Sequence, residues 1–213
     1  MRVYTLSRES NSNSGCQLFS KVGTPLNLQM KGEIERRSPR GVLDYLSLGI
    51  TTFGVGYIPG APGTYGSLLA VALYAVLSTV FGSFRYTPSV TPPEFMVAGI
   101  HAVILIAFVL FVLLGIWAAG RAIELLGDAD PKQAVVDEVI GQLTVFFLIP
   151  FTRSWALIAA GFVLFRLFDI WKPYPIDHLQ SLPGGIGVCA DDILAGMYAG
   201  VLLSVIYAAT LWV

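Results

Sequence analysis

Apolar residues run along this chain in long blocks, interrupted by short polar stretches. No charged side chain occurs between positions 45 and 84, between 95 and 120, or between 193 and 213. An uncharged apolar run of about 18 residues or more is long enough to cross the hydrocarbon core of a bilayer as a helix. The first block is not uniform. Gly54, Gly56, Pro59, Gly60, Pro62 and Gly63 divide it into an interfacial helix at 43–58, a tight loop at 59–66 and a spanning helix at 67–84. A turn rich in Pro and Thr follows at 85–94, then the clearest span at 95–120, after which 121–130 returns to water.

Asp130-Pro131 carries a helix-start signal, because Asp caps free backbone N–H groups and Pro at the first helical position gives up no hydrogen bond. That helix is expected to run to Ile149 and stop at Pro150, short enough to be either a thin crossing or a re-entrant element. Residues 155–170 form a further apolar helix, 171–192 a loop with three prolines and three glycines, and 193–213 the last span. The pattern predicts an all-α, multi-spanning transmembrane helical bundle of about 4–5 membrane-embedded helices with an interfacial N-terminal helix.

Composition supports lipid as the solvent: 55% of the 213 residues are hydrophobic and 13% charged, against about 25% charged in soluble domains. Residues 1–40 stand apart. They are polar, rich in Ser and Asn, and carry Lys21, Lys31, Arg36, Arg37 and Arg40. They read as a flexible polar tail ahead of a membrane-embedded catalytic domain at 41–213. A transit peptide, or translation starting at Met30, are the other readings of this stretch. The absence of an apolar core within it argues against a secretory signal.

The net charge of −1 and a pI of 6.1 exclude nucleic acid as a main partner, since no basic stripe dominates. Cys16 and Cys189 form no C-x-x-C pair, and Val22 and Ala195 stand where a cysteine phosphatase requires Arg. Lys and Arg gather in the tail, at 121–138 and at 166–178, with Arg85 and Arg153 on the other side. By the positive-inside rule the first group faces the cytoplasm.

The acidic residues are the informative ones. Of 14, five lie at expected membrane boundaries on one face: Asp137, Glu138, Asp169, Asp191 and Asp192. Carboxylates are costly in lipid and mark a cavity or a site by default. Asp137, Gly141 and Thr144 share a helical face, and Glu138 with Gln142 extends the polar stripe inward. Asp191-Asp192 is expected at the start of the last span, where a helix N-terminus favours anions.

Carboxylates converging beside Arg166 and Lys172 suit a divalent metal such as Mg2+ that in turn holds a phosphate. The Pro183-Gly184-Gly185-Ile186-Gly187 segment would let backbone N–H groups approach that anion. Each feature also has an ordinary reading: acids as helix caps, cations as interfacial anchors, glycines as a turn. His101 reads as an interfacial residue, and His178, beside Asp177, as a possible proton shuttle outside the essential set. Three acidic positions on one face is the combination that ordinary capping explains poorly.

Three stretches together resemble the phosphatidylglycerophosphatase A family. Residues 59–67, PGAPGTYGS, are similar to its P-x-x-P-G-T-x-G-S motif, and 136–141, VDEVIG, to its D-E-x-x-G. Residues 165–176, FRLFDIWKPYPI, are similar to F-R-x-x-D-x-x-K-P-x-P-I, followed by GGIGV at 184–188 and DDILAG at 191–196. Order and spacing match over roughly residues 43–205, and the ordered set is specific where a single D-E would not be.

The resemblance implies a Mg2+-dependent integral membrane phosphatase that converts phosphatidylglycerophosphate, met in the bilayer, to phosphatidylglycerol and phosphate. It implies roles for Thr64, Ser67, Asp137, Glu138, Arg166, Asp169, Lys172, Asp191 and Asp192. The five acids would be metal ligands and catalytic groups, and Thr64, Ser67, Arg166, Lys172, Gly184 and Gly185 would contact substrate. A bacterial inner membrane, with the site on the cytoplasmic face, is the setting it implies. Cys189 departs from the pattern, where an apolar residue is expected.

Two other classes remain to be weighed. A headgroup transferase also uses acids and Mg2+, but the D-G-x-x-A-R pattern of the CDP-alcohol enzymes is absent. A transporter would spread its acids through the bilayer midplane, whereas here they collect at one face. Ala195, Gly196, Ala199 and Gly200 form a small-xxx-small stripe that permits close helix approach and self-association as a homo-oligomer.

Overall fold

The computed structural model describes residues 34–85 and 93–212. The polar tail as far as 33 and most of the Pro- and Thr-rich turn, at 86–92, lie outside the described residues. All regular structure among those described is helical: α1 (Val42–Thr52), α2 (Pro62–Arg85), α3 (Glu94–Leu126), α4 (Val136–Phe147), α5 (Trp155–Trp171), α6 (Ile176–Leu179) and α7 (Gly184–Thr210). Three of these, in α2, α3 and α7, are long and apolar enough to cross a membrane. α4, with 12 residues, rises only about 18 Å at 1.5 Å per residue, well short of a bilayer core of about 30 Å.

The short α4 is the hub of the bundle. It packs against α7 most extensively and also meets α1, α2, α3 and α5. Val136, Val139, Ile140, Val145 and Phe146 are buried around its circumference. Lipid offers helices no hydrophobic drive to associate, so close van der Waals packing has to hold them. Glycines supply it here. A Cβ at Gly141 would meet the Asp192 carbonyl oxygen at 2.6 Å, one at Gly196 would collide with the Gly141 carbonyl oxygen, and one at Gly200 would come within 2.9 Å of the Val145 carbonyl oxygen. The small-residue stripe of the last span is thus engaged inside the chain, against α4.

α1 has an inverted surface. Its buried residues are Asp44, Ser47, Thr51 and Thr52, while Val42, Leu43, Tyr45 and Leu46 are half or more exposed. Such a helix, apolar outward and polar inward, suits the membrane interface. Asp44 accepts two hydrogen bonds from Arg37, at 2.9 and 3.1 Å, one from the backbone N–H of Arg40 at 3.0 Å, and one from Arg121 of α3. These donors, Arg37 first, hold its carboxyl well below the usual carboxylate range. Residues 34–40, at the end of the polar stretch, lie along the close of α3, with Arg37 N–H on the Glu124 carbonyl and Arg36 Nε on the Leu125 carbonyl. Gly127 ends α3 at φ +73°, facing Arg36 with no room for a side chain.

Several boundaries differ from those expected. The P-x-x-P-G-T-x-G-S stretch is not a loop throughout: Pro62 opens α2, so Thr64 and Ser67 are already helical. α4 begins at Val136 instead of Pro131. Tertiary contacts claim the intervening residues: Val135 N–H donates to the Thr51 carbonyl at 2.9 Å, and Gln133 lies hard against Gly56. The 171–192 segment holds α6 and the first two turns of α7. Asp191 and Asp192 therefore sit well inside α7, beyond the reach of its N-terminal dipole.

Candidate active site

Each acidic residue is delivered by a helix whose neighbours hold it close to the others. α4 presents Asp137 and Glu138 in its first turn, and α7 presents Asp191 and Asp192. The contact of Gly141 with the Asp192 carbonyl brings these two helices together at the level of the acids. Carboxylate oxygens of Asp137, Glu138 and Asp192 all lie within 4.8 Å of one another. Asp137 and Asp192 are 8% and 4% exposed.

Asp169 and Asp191 are engaged differently. Arg166 Nη1 donates to Asp169 Oδ2 at 2.6 Å, one turn apart on α5. Lys172 Nζ donates to Asp191 Oδ2 at 2.6 Å, joining the end of α5 to α7. Lys172 caps α5 in the left-handed region, at φ +44°, with its N–H on the Phe168 carbonyl. That conformation, uncommon for a residue with a Cβ, turns the chain into Pro173 and aims the ammonium at Asp191.

The first turn of α2 covers the group. A Cβ at Gly63 would collide with Glu138 Oε1 and lie 3.4 Å from Arg166 Nη1. A Cβ at Gly66 would come within 3.0 Å of Val135. The motif glycines serve here to let a helix backbone approach a carboxylate and a guanidinium. Ser67 is fully buried, its Oγ donating to the Gly63 carbonyl at 3.0 Å, and Thr64 is part-exposed in the turn before it.

Gly184 and Gly185 are not brought to the carboxylates. They precede Asp191 by roughly 10 Å along α7 at 1.5 Å per residue. Gly185 packs instead against the backbone of Ile116 and Gly120 in α3. His178 Nδ1 pairs with Asp177 at 2.8 Å, both exposed on α6, and His101 lies in α3.

The charge balance shows what this arrangement is fit to hold. Five carboxylates face two cations, and each cation already has a carboxylate partner. Asp137 Oδ1, Glu138 Oε2 and Asp191 Oδ1 are buried without any hydrogen-bond partner. Buried charge without a partner is strongly unfavourable. Asp137, Glu138 and Asp192 converge, and Asp137 and Glu138 each keep an oxygen without a partner; such a donor set matches the preference of a hard divalent cation, so the residues fit a metal such as Mg2+. Asp44, with its arginine clasp, is the buried acid that charge counting along the sequence passed over. Its signal was there: Asp44, Ser47 and Thr51 repeat at helical spacing in an otherwise apolar segment.

An all-helical, membrane-embedded protein with buried carboxylates meeting cations at helix ends has the makings of a phosphoryl-handling membrane enzyme. The sequence profile of the phosphatidylglycerophosphatase A family matches residues 49–207, and the chain belongs to that family. It is 35% identical over 161 residues to phosphatidylglycerophosphatase A of Haemophilus influenzae, covering 75% of this chain and 85% of the relative. With phosphatidylglycerophosphatase A of Escherichia coli it shares 32% identity over 152 residues, 70% of this chain and 77% of the relative. A protein of Bacteroides thetaiotaomicron named putative phosphatidylinositol-3-phosphatase is 37% identical over 160 residues, covering 73% and 89%. No solved structure matches the chain.

Proposed function

We propose that this enzyme hydrolyses the terminal phosphomonoester of phosphatidylglycerophosphate, leaving phosphatidylglycerol in the bilayer and releasing phosphate. The observation that carries this reading is the convergent trio of buried Asp137, part-buried Glu138 and buried Asp192 beside Arg166 and Lys172. The names of two relatives support the substrate.

In this reading Asp137, Glu138 and Asp192 would hold Mg2+, which when bound would supply positive charge against the phosphoryl oxygens. Arg166 and Lys172 bind the remaining phosphate oxygens, where paired N–H donors suit a dianion. Asp169 and Asp191 keep those two cations aimed before substrate arrives, which favours the transition state over a site that must reorganise. The first turn of α2, carrying Thr64 and Ser67, walls the pocket. The acyl chains stay in lipid, and the site faces the cytoplasm across a bacterial inner membrane, in keeping with the Lys and Arg distribution.

The test is phosphate release from phosphatidylglycerophosphate by detergent-purified protein, with Mg2+ or with chelator, beside Asp169→Asn. Metal-dependent release that falls at least 100-fold in the variant is expected on the scale of lost electrostatic groups. Folded protein that releases no phosphate with any divalent metal would overturn the proposal. The Bacteroides relative's name favours a second reading, a phosphoinositide phosphomonoester. Phosphatidylinositol 3-phosphate assayed beside phosphatidylglycerophosphate decides between them by the ratio of kcat/KM.

A further inference from the structure

Gln142 is fully buried, and neither its Oε1 nor its Nε2 has a hydrogen-bond partner. An amide left unpaired in a protein interior is costly, and an unbranched apolar side chain would fill the same space without that cost. The residue lies four positions after Glu138 on α4, hence on the same helical face and one turn deeper. Glu138 Oε2 is likewise buried without a partner. Around them, Gly63 of α2 closes on Glu138, while Gly161 of α5 closes on Phe146, the residue one turn below Gln142. By helix spacing the residue lies on α4 between the level of Glu138 and that of Phe146.

The donor types in this site divide cleanly. Arg166 and Lys172 only donate, which suits phosphate, and the acids only accept, which suits a cation. Thr64 and Ser67 add hydroxyls at the wall, with Ser67 already donating to Gly63; Gln142 is the neutral side chain whose donor and acceptor are both unengaged, and that pairing matches a hydroxyl. We infer that Gln142 is a specificity-determining residue, hydrogen-bonding a free hydroxyl on the headgroup carbon next to the phosphorylated one. Glycerophosphate and inositol-phosphate headgroups both carry such a hydroxyl, whereas phosphatidate does not. The inference rests on the lipid-phosphatase reading above and narrows it to polyol phosphomonoesters.

The experiment compares wild type with Gln142→Met on phosphatidylglycerophosphate, on its analogue lacking the headgroup hydroxyl, and on phosphatidylinositol 3-phosphate. Wild type is expected to favour the hydroxylated lipid over the analogue by about 10- to 100-fold in kcat/KM, the scale of one neutral hydrogen bond with its unpaired alternative. Gln142→Met should lower turnover of the hydroxylated lipid to the level of the analogue, leave the analogue within about twofold, and melt no lower than wild type. The phosphoinositide arm shows whether glycerol or inositol supplies the hydroxyl, according to which lipid loses turnover. An unchanged ratio between hydroxylated lipid and analogue overturns the inference alone, and a lower melting temperature with that unchanged ratio assigns the amide to the fold instead. No phosphate release from any of these lipids by folded wild type overturns the functional reading together with it.

Discussion

Lys172 and Asp191 are joined at 2.6 Å although they stand 19 positions apart, and the bond ties the end of α5 to the first third of α7. Asp191 is 5% exposed at its side chain and Lys172 26%. Removing the ammonium leaves a buried carboxylate with no partner and, under the proposed function, takes away one phosphate donor. Lys172→Met is therefore expected to lower kcat by about 100-fold or more. Steady-state phosphate release checks this, with detergent-solubilised protein verified as folded by circular dichroism.

Two glycines with equally tight surroundings should fail in different ways. A Cβ at Gly196 meets backbone, the Gly141 carbonyl of a neighbouring helix; one at Gly63 meets the free end of the Glu138 side chain. Backbone cannot yield without separating α4 from α7. Gly196→Ala is expected to destabilise by about 1–3 kcal/mol, the usual scale of overpacking. Gly63→Ala should melt near wild type yet lose activity by displacing Glu138. Thermal unfolding in detergent and phosphate release, measured on both, separate the two cases.

Crowded buried carboxylates make a further contrast. Asp192→Asn removes one charge from the trio, so without metal the variant should be more stable than wild type, a common exchange of function for stability. Adding Mg2+ should raise the melting temperature of wild type, by up to about 2.7 kcal/mol of stabilisation at a hundredfold excess over Kd. The variant should show little response. A melting curve of each protein with chelator and with saturating Mg2+ makes the comparison.

The Asp44 clasp predicts an acid dependence with a definite sign. Arg37, the Arg40 N–H and Arg121 keep Asp44 ionised below the ordinary carboxylate range. A depressed folded-state pKa gives stability that is complete above the unfolded value of about 3.9 and is lost as pH falls below it toward the folded value. Residues 34–44 should stay protected from amide exchange at pH 5 and open as pH falls below about 4. In Asp44→Asn the same segment should exchange faster at all these pH values, without that acid step. Exchange mass spectrometry between pH 3 and 6 reads both.

How much of this was legible in the sequence depended on whether a feature was local. Uncharged blocks at 95–120 and 193–213 located α3 and α7, because lipid demands a long apolar run regardless of neighbours. The acids stood out for the same reason: Asp137, Glu138, Asp191 and Asp192 are anomalous in such surroundings. Helix starts were less legible. Asp130-Pro131 has good capping chemistry, but the hydrogen bond from Val135 to Thr51 outweighs it, and that partner lies 84 positions away. Gly185 illustrates the limit in another way. Glycine before a helix looks the same whether it admits a phosphate or a second helix, and here α3 occupies the space.

The inverted surface of α1 reaches beyond its own packing. Its lipid-facing row of Val42, Leu43, Tyr45 and Leu46 can settle at only one level, where apolar chains give way to headgroups. Thr51 accepts a hydrogen bond from Val135, the residue just before α4 and two positions before Asp137. A helix settled at that level would act as a depth gauge for the carboxylate trio tied to it, and under the proposed function a lipid substrate would reach the site by sideways diffusion within its leaflet, without being lifted out of the membrane.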